Sequence, residues 1–188
     1  MKKIAVLFSG TGTNLKYILE HLDGKDVEVV VAITNRPDAG GIVYAQEYNI
    51  PLEIIDSCLA ISREAFDEEV VHVLHYYKPD LTVFAGFMRI LTSVFTDNVK
   101  AINLHPSLLP FHKGMMAIER SYEDENEEGG VSIHWVSSEL DGGKVILQKI
   151  VQKEAMSFEE YESEIKAIEK EALVEAIREV LKIKEHHE

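Results

Sequence analysis

Ile4-Ala5-Val6-Leu7-Phe8-Ser9-Gly10-Thr11-Gly12-Thr13-Asn14-Leu15 is the stretch on which the fold turns. Its first five residues are apolar without interruption, the next six are small or polar, and Leu15, Ile18, Leu19 and Leu22 then recur at helical spacing. A strand with no polar residue needs cover on both faces, so the opening predicts a buried strand, a loop and a helix. The pattern continues outward. Val27 to Ile33 is rich in β-branched residues and ends at Asn35-Arg36-Pro37; Gly41 to Tyr48 suits a helix and Leu52-Glu53-Ile54-Ile55 a third strand. Ser62 is placed to cap a helix with Phe66, Val70, Val73, Leu74 and Tyr77 on one face, stopping at Lys78-Pro79-Asp80 before the strand Leu81 to Ala85. Ala101-Ile102-Asn103-Leu104 is a fifth strand. Apolar strands alternating with helices predict an α/β fold, a Rossmann-like and mostly parallel sheet flanked by helices through right-handed crossovers.

After residue 114 the pattern changes. A helix near Met115 to Tyr122 is followed by the polar run Glu123 to Glu128 and by Gly129-Gly130. Alternating segments at Val131 to Val136 and Val145 to Ile150 flank Asp141-Gly142-Gly143, which predicts a late antiparallel hairpin and a mixed sheet on that side. Ser157 with Glu160 three residues on forms a capping box, and Phe158, Tyr161, Ile165, Ile168, Ala172 and Val180 make the apolar stripe of a long C-terminal helix. His186-His187-Glu188 reads as a frayed end. With no internal repeat, linker or composition shift, residues 1–188 are expected to form one domain.

Composition narrows the function classes. The 188 residues carry 19 Lys and Arg against 33 Asp and Glu, a net charge of −14, with 46% hydrophobic residues. A chain of this length buries roughly 70% of its unfolded surface, so folding requires neither disulfides nor a structural metal. The single cysteine, Cys58, excludes an intrachain disulfide and fits a reducing, cytoplasmic setting. The apolar run after Lys3 is shorter than the ~7–15 residues of a signal peptide, and no stretch approaches the ~20 that span a bilayer. A surplus of acids opposes nucleic acid or an anionic membrane as partner, since each phosphate contact needs a base. A small anionic substrate remains compatible, because one pocket can be positive on an acidic surface.

Three clusters can carry chemistry. Ser9 to Asn14 joins a buried strand to a helix N-terminus, where free amides and the helix dipole favour a phosphate; a tight turn that binds nothing has the same composition. A dinucleotide site fits poorly. The third glycine is absent, and the second strand ends in Asn35-Arg36 where a ribose-binding acid is expected. The second cluster is Asn103-Leu104-His105-Pro106-Ser107-Leu108-Leu109-Pro110, at the C-terminal end of a central strand, where open α/β sheets place ligands. Period-two alternation sets Asn103 and His105 on one face. An amide that can hold an oxyanion beside an imidazole that can move a proton suits acyl transfer. The third is Glu139-Leu140-Asp141-Gly142-Gly143, an ordinary turn by itself, whose carboxylate would favour an imidazolium if it reached His105. His72 and His75 lie three apart on a helix without a third ligand, and no metal is expected.

Together, Ser9 to Leu15, Ala85-Gly86-Phe87-Met88-Arg89-Ile90-Leu91, Asn103 to Pro110 and Glu139 to Gly143, in this order and spacing, resemble the folate-dependent phosphoribosylglycinamide formyltransferases. The resemblance implies transfer of a formyl group from the cosubstrate 10-formyltetrahydrofolate to the amine of glycinamide ribonucleotide in purine biosynthesis, without a metal or a covalent enzyme intermediate. It implies Asn103, His105 and Asp141 as catalytic residues and Gly12, Thr13 and Asn14 as the substrate-phosphate cradle, with Glu169 contacting the ribonucleotide. The folate would lie along Met88, Arg89, Ile90 and Leu91 and against Ser137, Ser138, Glu139 and Leu140, with Arg63 opposite its acidic tail. Residues 1–100 would then form a phosphate-binding half and 101–188 a catalytic and folate-binding half. The partners implied are these small molecules, with no nucleic acid and no membrane, for a monomer or homodimer.

One segment departs from the pattern. Where such enzymes often have an aromatic-Pro-Gly stretch followed by histidine-containing sequence, this chain has Phe111-His112-Lys113-Gly114-Met115-Met116. A methionyl-tRNA formyltransferase shares the Asn-x-His and Pro-Ser-Leu-Leu-Pro pattern but would need a basic domain that −14 does not supply. A formyltetrahydrofolate deformylase would have another residue after the histidine. A nucleotide sensor would need the phosphate loop and have no use for Asn103, His105 and Asp141.

Overall fold

The computed structural model describes residues 1–183, so His186-His187-Glu188 lie outside it. Five parallel strands come first: β1 (Lys2–Phe8), β2 (Val27–Thr34), β3 (Leu52–Ile54), β4 (Leu81–Phe84) and β5 (Ala101–His105). Then β6 (Glu128–Trp135) and β7 (Val145–Gln152) add antiparallel, giving one seven-stranded sheet in the order β3-β2-β1-β4-β5-β6-β7. The helices are α1 (Thr13–His21), α2 (Ile42–Glu47), α3 (Arg63–Tyr77), α4 (Ser93–Thr96), α5 (Ala117–Glu123) and α6 (Phe158–Leu181).

Side-chain alternation along β1 shows why the strand is apolar throughout. Ile4, Val6 and Phe8 pack with Leu15, Ile18 and Leu19 of α1, Ala45 of α2 and Tyr161, Ile165 and Leu173 of α6. Ala5 and Leu7 point the other way, to Phe66, Val70 and Leu74 of α3 and Phe95 of α4. Burying each of the valine, leucine, isoleucine and phenylalanine side chains among these stabilises the fold by about 1.5–3 kcal/mol relative to exposure. The predicted caps are present. Ser62 Oγ accepts from Ala65 N at 3.0 Å, while Ser157 Oγ accepts from Glu160 N and Glu160 Oε2 from Ser157 N, closing the capping box of α6.

Two boundaries differ from the expectation. The helix near Met115 begins at Ala117, because Met116 adopts a left-handed conformation (φ 55). Gly129-Gly130 do not precede the sixth strand but lie within it: the buried Tyr161 ring packs so closely on Gly129 that any Cβ there would overlap its hydroxyl. The short α4 was not anticipated. No helix among the described residues is long and apolar enough to cross a membrane.

Candidate active site

The strand order reverses between β1 and β4, so the loops leaving their C-terminal ends diverge and open a crevice. Ser9 bridges its walls: its N–H donates to Gly86 O at 2.9 Å, and its Oγ both donates to Asn35 Oδ1 and accepts from Met88 N–H at 2.8 Å. Gly12 then turns the chain into α1 with φ 74, and a Cβ there would overlap the Gly41 backbone. The first intrahelical bond runs from Lys16 N to Gly12 O, so the amides of Thr13, Asn14 and Leu15 start the helix without intrahelical acceptors. Glu169 of α6 faces this helix start. Burial pushes its carboxyl up to about 7, opposed by Lys166, by a hydrogen bond with Asn14 and by Lys170. Asn14 Oδ1 is buried without a partner.

A second group forms on the β5–β6 pair. In the antiparallel register Asn103 stands opposite His134 and His105 opposite Ser132, so all four share one sheet face. Residues 136–144 fold back over that face instead of making a tight turn, and Asp141, left-handed at φ 51, is buried between the two imidazoles. Its Oδ2 lies 3.4 Å from His105 Nδ1 and its Oδ1 3.6 Å from His134 Nε2. Gly114 N–H donates to Oδ2 at 2.8 Å. Burial pushes the His134 imidazole toward neutrality against the pull of the Trp135 carbonyl and Asp141; its Nδ1–H donates to Trp135 O at 3.0 Å, and Nε2 faces Asp141 beyond hydrogen-bond distance.

The segment after β5 is fixed from below. Ser132 Oγ donates to Ser107 O at 2.7 Å and accepts from Leu109 N at 2.9 Å and Gln148 Nε2 at 2.8 Å, while Ser107 Oγ donates to Phe111 O at 2.6 Å. His105 Nε2 meets His112 O at 2.8 Å, so this nitrogen donates and Nδ1 is the one that faces Asp141. The His112 ring is tied in turn to Asp124, and Lys153 donates to Asp124 Oδ1 at 2.6 Å. Burial alone would raise the Asp124 carboxyl; hydrogen bonds from Lys153, His112 and Asn126 outweigh it and hold that carboxyl well below the usual range.

The residues expected along a folate sit on the two loops flanking this group. Met88, Ile90 and Leu140 expose most of their apolar surface, and Arg63 Nη2 donates to Ile90 O at 2.8 Å. Arg89 lies 4.5 Å over the Phe66 ring with a buried, unpartnered Nε, and Leu91 is half-buried against the α3 side of the core. Ser137 Oγ donates to Glu139 O at 3.1 Å, Ser138 is exposed, and Glu139 pairs with Lys113 at 2.9 Å. The structure thus brings His105 and Asp141 together with Asn103 on the same face, and sets Gly12, Thr13 and Asn14 beside Glu169. Sequence reasoning placed Ser9 in the phosphate loop, Asn35 at the end of the second strand and His112 in the divergent segment without giving them these contacts, and gave His134 no part in the site. The available signal for His134 was its alternation with Ser132 on a predicted strand, which becomes informative only once that strand is seen to pair with the one that holds Asn103 and His105.

The sequence profile described as formyl transferase matches residues 2–177, and the chain belongs to the formyl transferase family. Within it, the chain is similar to the Escherichia coli K12 protein named phosphoribosylglycinamide formyltransferase, 40% identical over 149 residues that cover 77% of this chain and 70% of that protein. The Haemophilus influenzae protein of the same name is 39% identical over 79% of this chain and 72% of its own length. The crystal structure of phosphoribosylglycinamide formyltransferase from Campylobacter jejuni superimposes with a TM-score of 0.94 at 48% identity, covering 96% of this chain and 97% of that one.

Proposed function

We propose that this chain transfers the formyl group of 10-formyltetrahydrofolate to the amine of glycinamide ribonucleotide, a step of de novo purine biosynthesis, acting in the cytoplasm as a monomer or homodimer with these small molecules as its partners. The observation that carries the reading is the His105–Asp141 approach at 3.4 Å on the sheet face that also holds Asn103, beside an anion cradle at the switch of strand order.

The residues divide the work. The amides of Gly12, Thr13 and Asn14 receive the phosphate, and Glu169 accepts from the ribose hydroxyls. Met88 to Leu91 and Ser137 to Leu140 enclose the folate ring system, while the Arg63 guanidinium receives the carboxylate tail. Residues 1–100 supply the phosphate cradle and one wall of the folate site, and the segment from 101 onward supplies the catalytic group and the opposite wall, within one domain. The neutral substrate amine attacks the formyl carbon, forming the new C–N bond. Asn103 and the Nδ1–H of His105 donate to the oxygen as it takes up negative charge. Asp141, ionised and flanked by the neutral His134 ring, accepts the amine proton, directly or through one water, and that proton goes to N10 as the bond from the formyl carbon to N10 breaks.

The test is to incubate the protein with 10-formyl-dideazafolate and glycinamide ribonucleotide and follow the deformylated folate analogue, omitting each substrate in turn. Product that requires both supports the assignment. Deformylation without the ribonucleotide would identify a hydrolase, and no turnover at all would remove the proposal.

A further inference from the structure

Within the segment Phe111 to Met116, the His112 carbonyl accepts a hydrogen bond from the His105 ring. We propose that His112, anchored through Asp124 to Lys153, is a positioning residue that fixes the tautomer of the His105 imidazole and so selects Nδ1 as its working nitrogen.

A carbonyl oxygen can only accept, so the 2.8 Å contact between His112 O and His105 Nε2 requires the proton on Nε2 in every state of the ring. Nδ1 is then bare in the neutral ring and protonated in the cation, and Nδ1 is the nitrogen turned toward Asp141. Without that carbonyl the ring could release its proton from Nε2 instead, and Nδ1 would no longer be the nitrogen that gains and loses a proton beside Asp141.

The carbonyl is aimed by a chain of contacts that ends in the body of the fold. His112 is left-handed at φ 56, a conformation that a non-glycine residue keeps only where its surroundings impose it. Its ring Nε2–H donates to Asp124 Oδ2, and Lys153 clamps Asp124 through both Oδ1 and the backbone oxygen while donating to Ser121 O at 2.6 Å. Arg120 holds the same loop from the α5 side, with Nη2 donating to the oxygens of His112 and Lys113 and Nε to Met115 O. On the other flank Gly114 N–H reaches Asp141 and Lys113 pairs with Glu139. The charged groups around the ring are therefore Asp141 on one side and Arg120 on the shared carbonyl, with Lys113 and Asp124 compensated by their own partners. Removing the His112 ring leaves the Asp124–Lys153 pair in place and detaches only the link to the carbonyl.

The inference rests on the formyltransferase reading for its turnover arm alone. Ring ¹⁵N correlation spectra of the ligand-free protein at alkaline pH report the tautomer directly. Wild type is expected to show His105 with the proton on Nε2, His112→Gln to keep it because the amide can still donate to Asp124, and His112→Ala to show a mixture. In the transfer assay His112→Ala loses kcat by about tenfold with both KM values within about twofold, and His112→Gln recovers most of the loss. His112→Phe preserves ring volume, lacks the hydrogen bond and should behave as the alanine variant does, so a poorly folding His112→Ala does not spare the idea. A pure Nε2–H ring in both His112→Ala and His112→Phe with wild-type kcat would overturn it. Formyl transfer by a wild-type protein whose His105 carries its neutral-state proton on Nδ1 would overturn it too, while leaving the proposed function standing. An Nε2–H ring in a wild type that transfers no formyl group would do the reverse.

Discussion

Replacing Glu169 with glutamine should make the protein more stable at alkaline pH and leave it unchanged in acid. The carboxyl is raised from 4.5 to about 7 in the fold, mainly because burial against α1 disfavours its charge. Between those pH values the folded state holds a proton that the unfolded chain has released, so this group's contribution to stability falls as pH rises from 4.5 to about 7 and is level above. The shift corresponds to a ceiling of roughly 3.5 kcal/mol at about 1.4 kcal/mol per pKa unit. Glu169 is half-buried with Lys166 and Lys170 nearby, so screening reduces the expected effect to about 1–2 kcal/mol. Glutamine keeps the shape and still accepts from Asn14 but never ionises. For a chain of this length, 1–2 kcal/mol raises Tm by about 3–6 °C. Thermal unfolding followed by circular dichroism at pH 4.5 and pH 8.5 measures it: wild type and Glu169→Gln should melt together at the lower pH and separate at the higher, the glutamine variant melting later. A difference of the same size at both pH values, or a glutamine variant that melts earlier at pH 8.5, would refute the reasoning.

Asn103→Ala, His105→Ala and Asp141→Ala should each lose about 10²–10³ in turnover while melting close to wild type, because each removes a group that acts on developing charge; near-normal rates in all three would dismiss the catalytic assignment. Lys153→Met should lower the unfolding free energy in urea by about 3 kcal/mol at neutral pH, since it withdraws the ammonium that Asp124 and two backbone oxygens were built around. An unchanged urea midpoint would show that the cluster contributes nothing net. Gly12→Ala should lose affinity for phosphate-bearing ligands and at least about 1 kcal/mol of stability, as alanine is strained at φ 74 and its methyl would meet Gly41. Titration with the ribonucleotide, followed by calorimetry, measures the first effect.

What was legible in the sequence was whatever depends on neighbours along the chain. The five uninterrupted apolar residues before Ser9, the β-branched run at Val27 and the Ser157–Glu160 box each report a local environment, and the structure places strand, strand and helix there. The contact between His105 and Asp141 is of another kind. It depends on residues 136–144 folding back over the β5–β6 face, and Asp141-Gly142-Gly143 has the composition of any turn, so nothing local marks where the carboxylate goes. His134 is an intermediate case: its place follows from strand register, which can be read once β5 and β6 are known to pair antiparallel. Gly129 was misplaced for a packing reason, because the ring that requires it belongs to Tyr161, in the last helix. Glu169 was pointed to by resemblance alone, since an acid on an amphipathic helix looks like solvated surface until the helix is docked against α1.

The Ser9 hydroxyl has a consequence for how the crevice can change over evolutionary time. One oxygen gives its proton to the segment after β2 and receives one from the segment after β4, while the backbone of the same residue leads into the phosphate cradle. Three connections are thereby yoked at a single residue. Lengthening any one of them to suit a bulkier guest would drag the other two, so variation in ligand preference should concentrate on the far wall, in residues 136–144, which bear no such tie to Ser9.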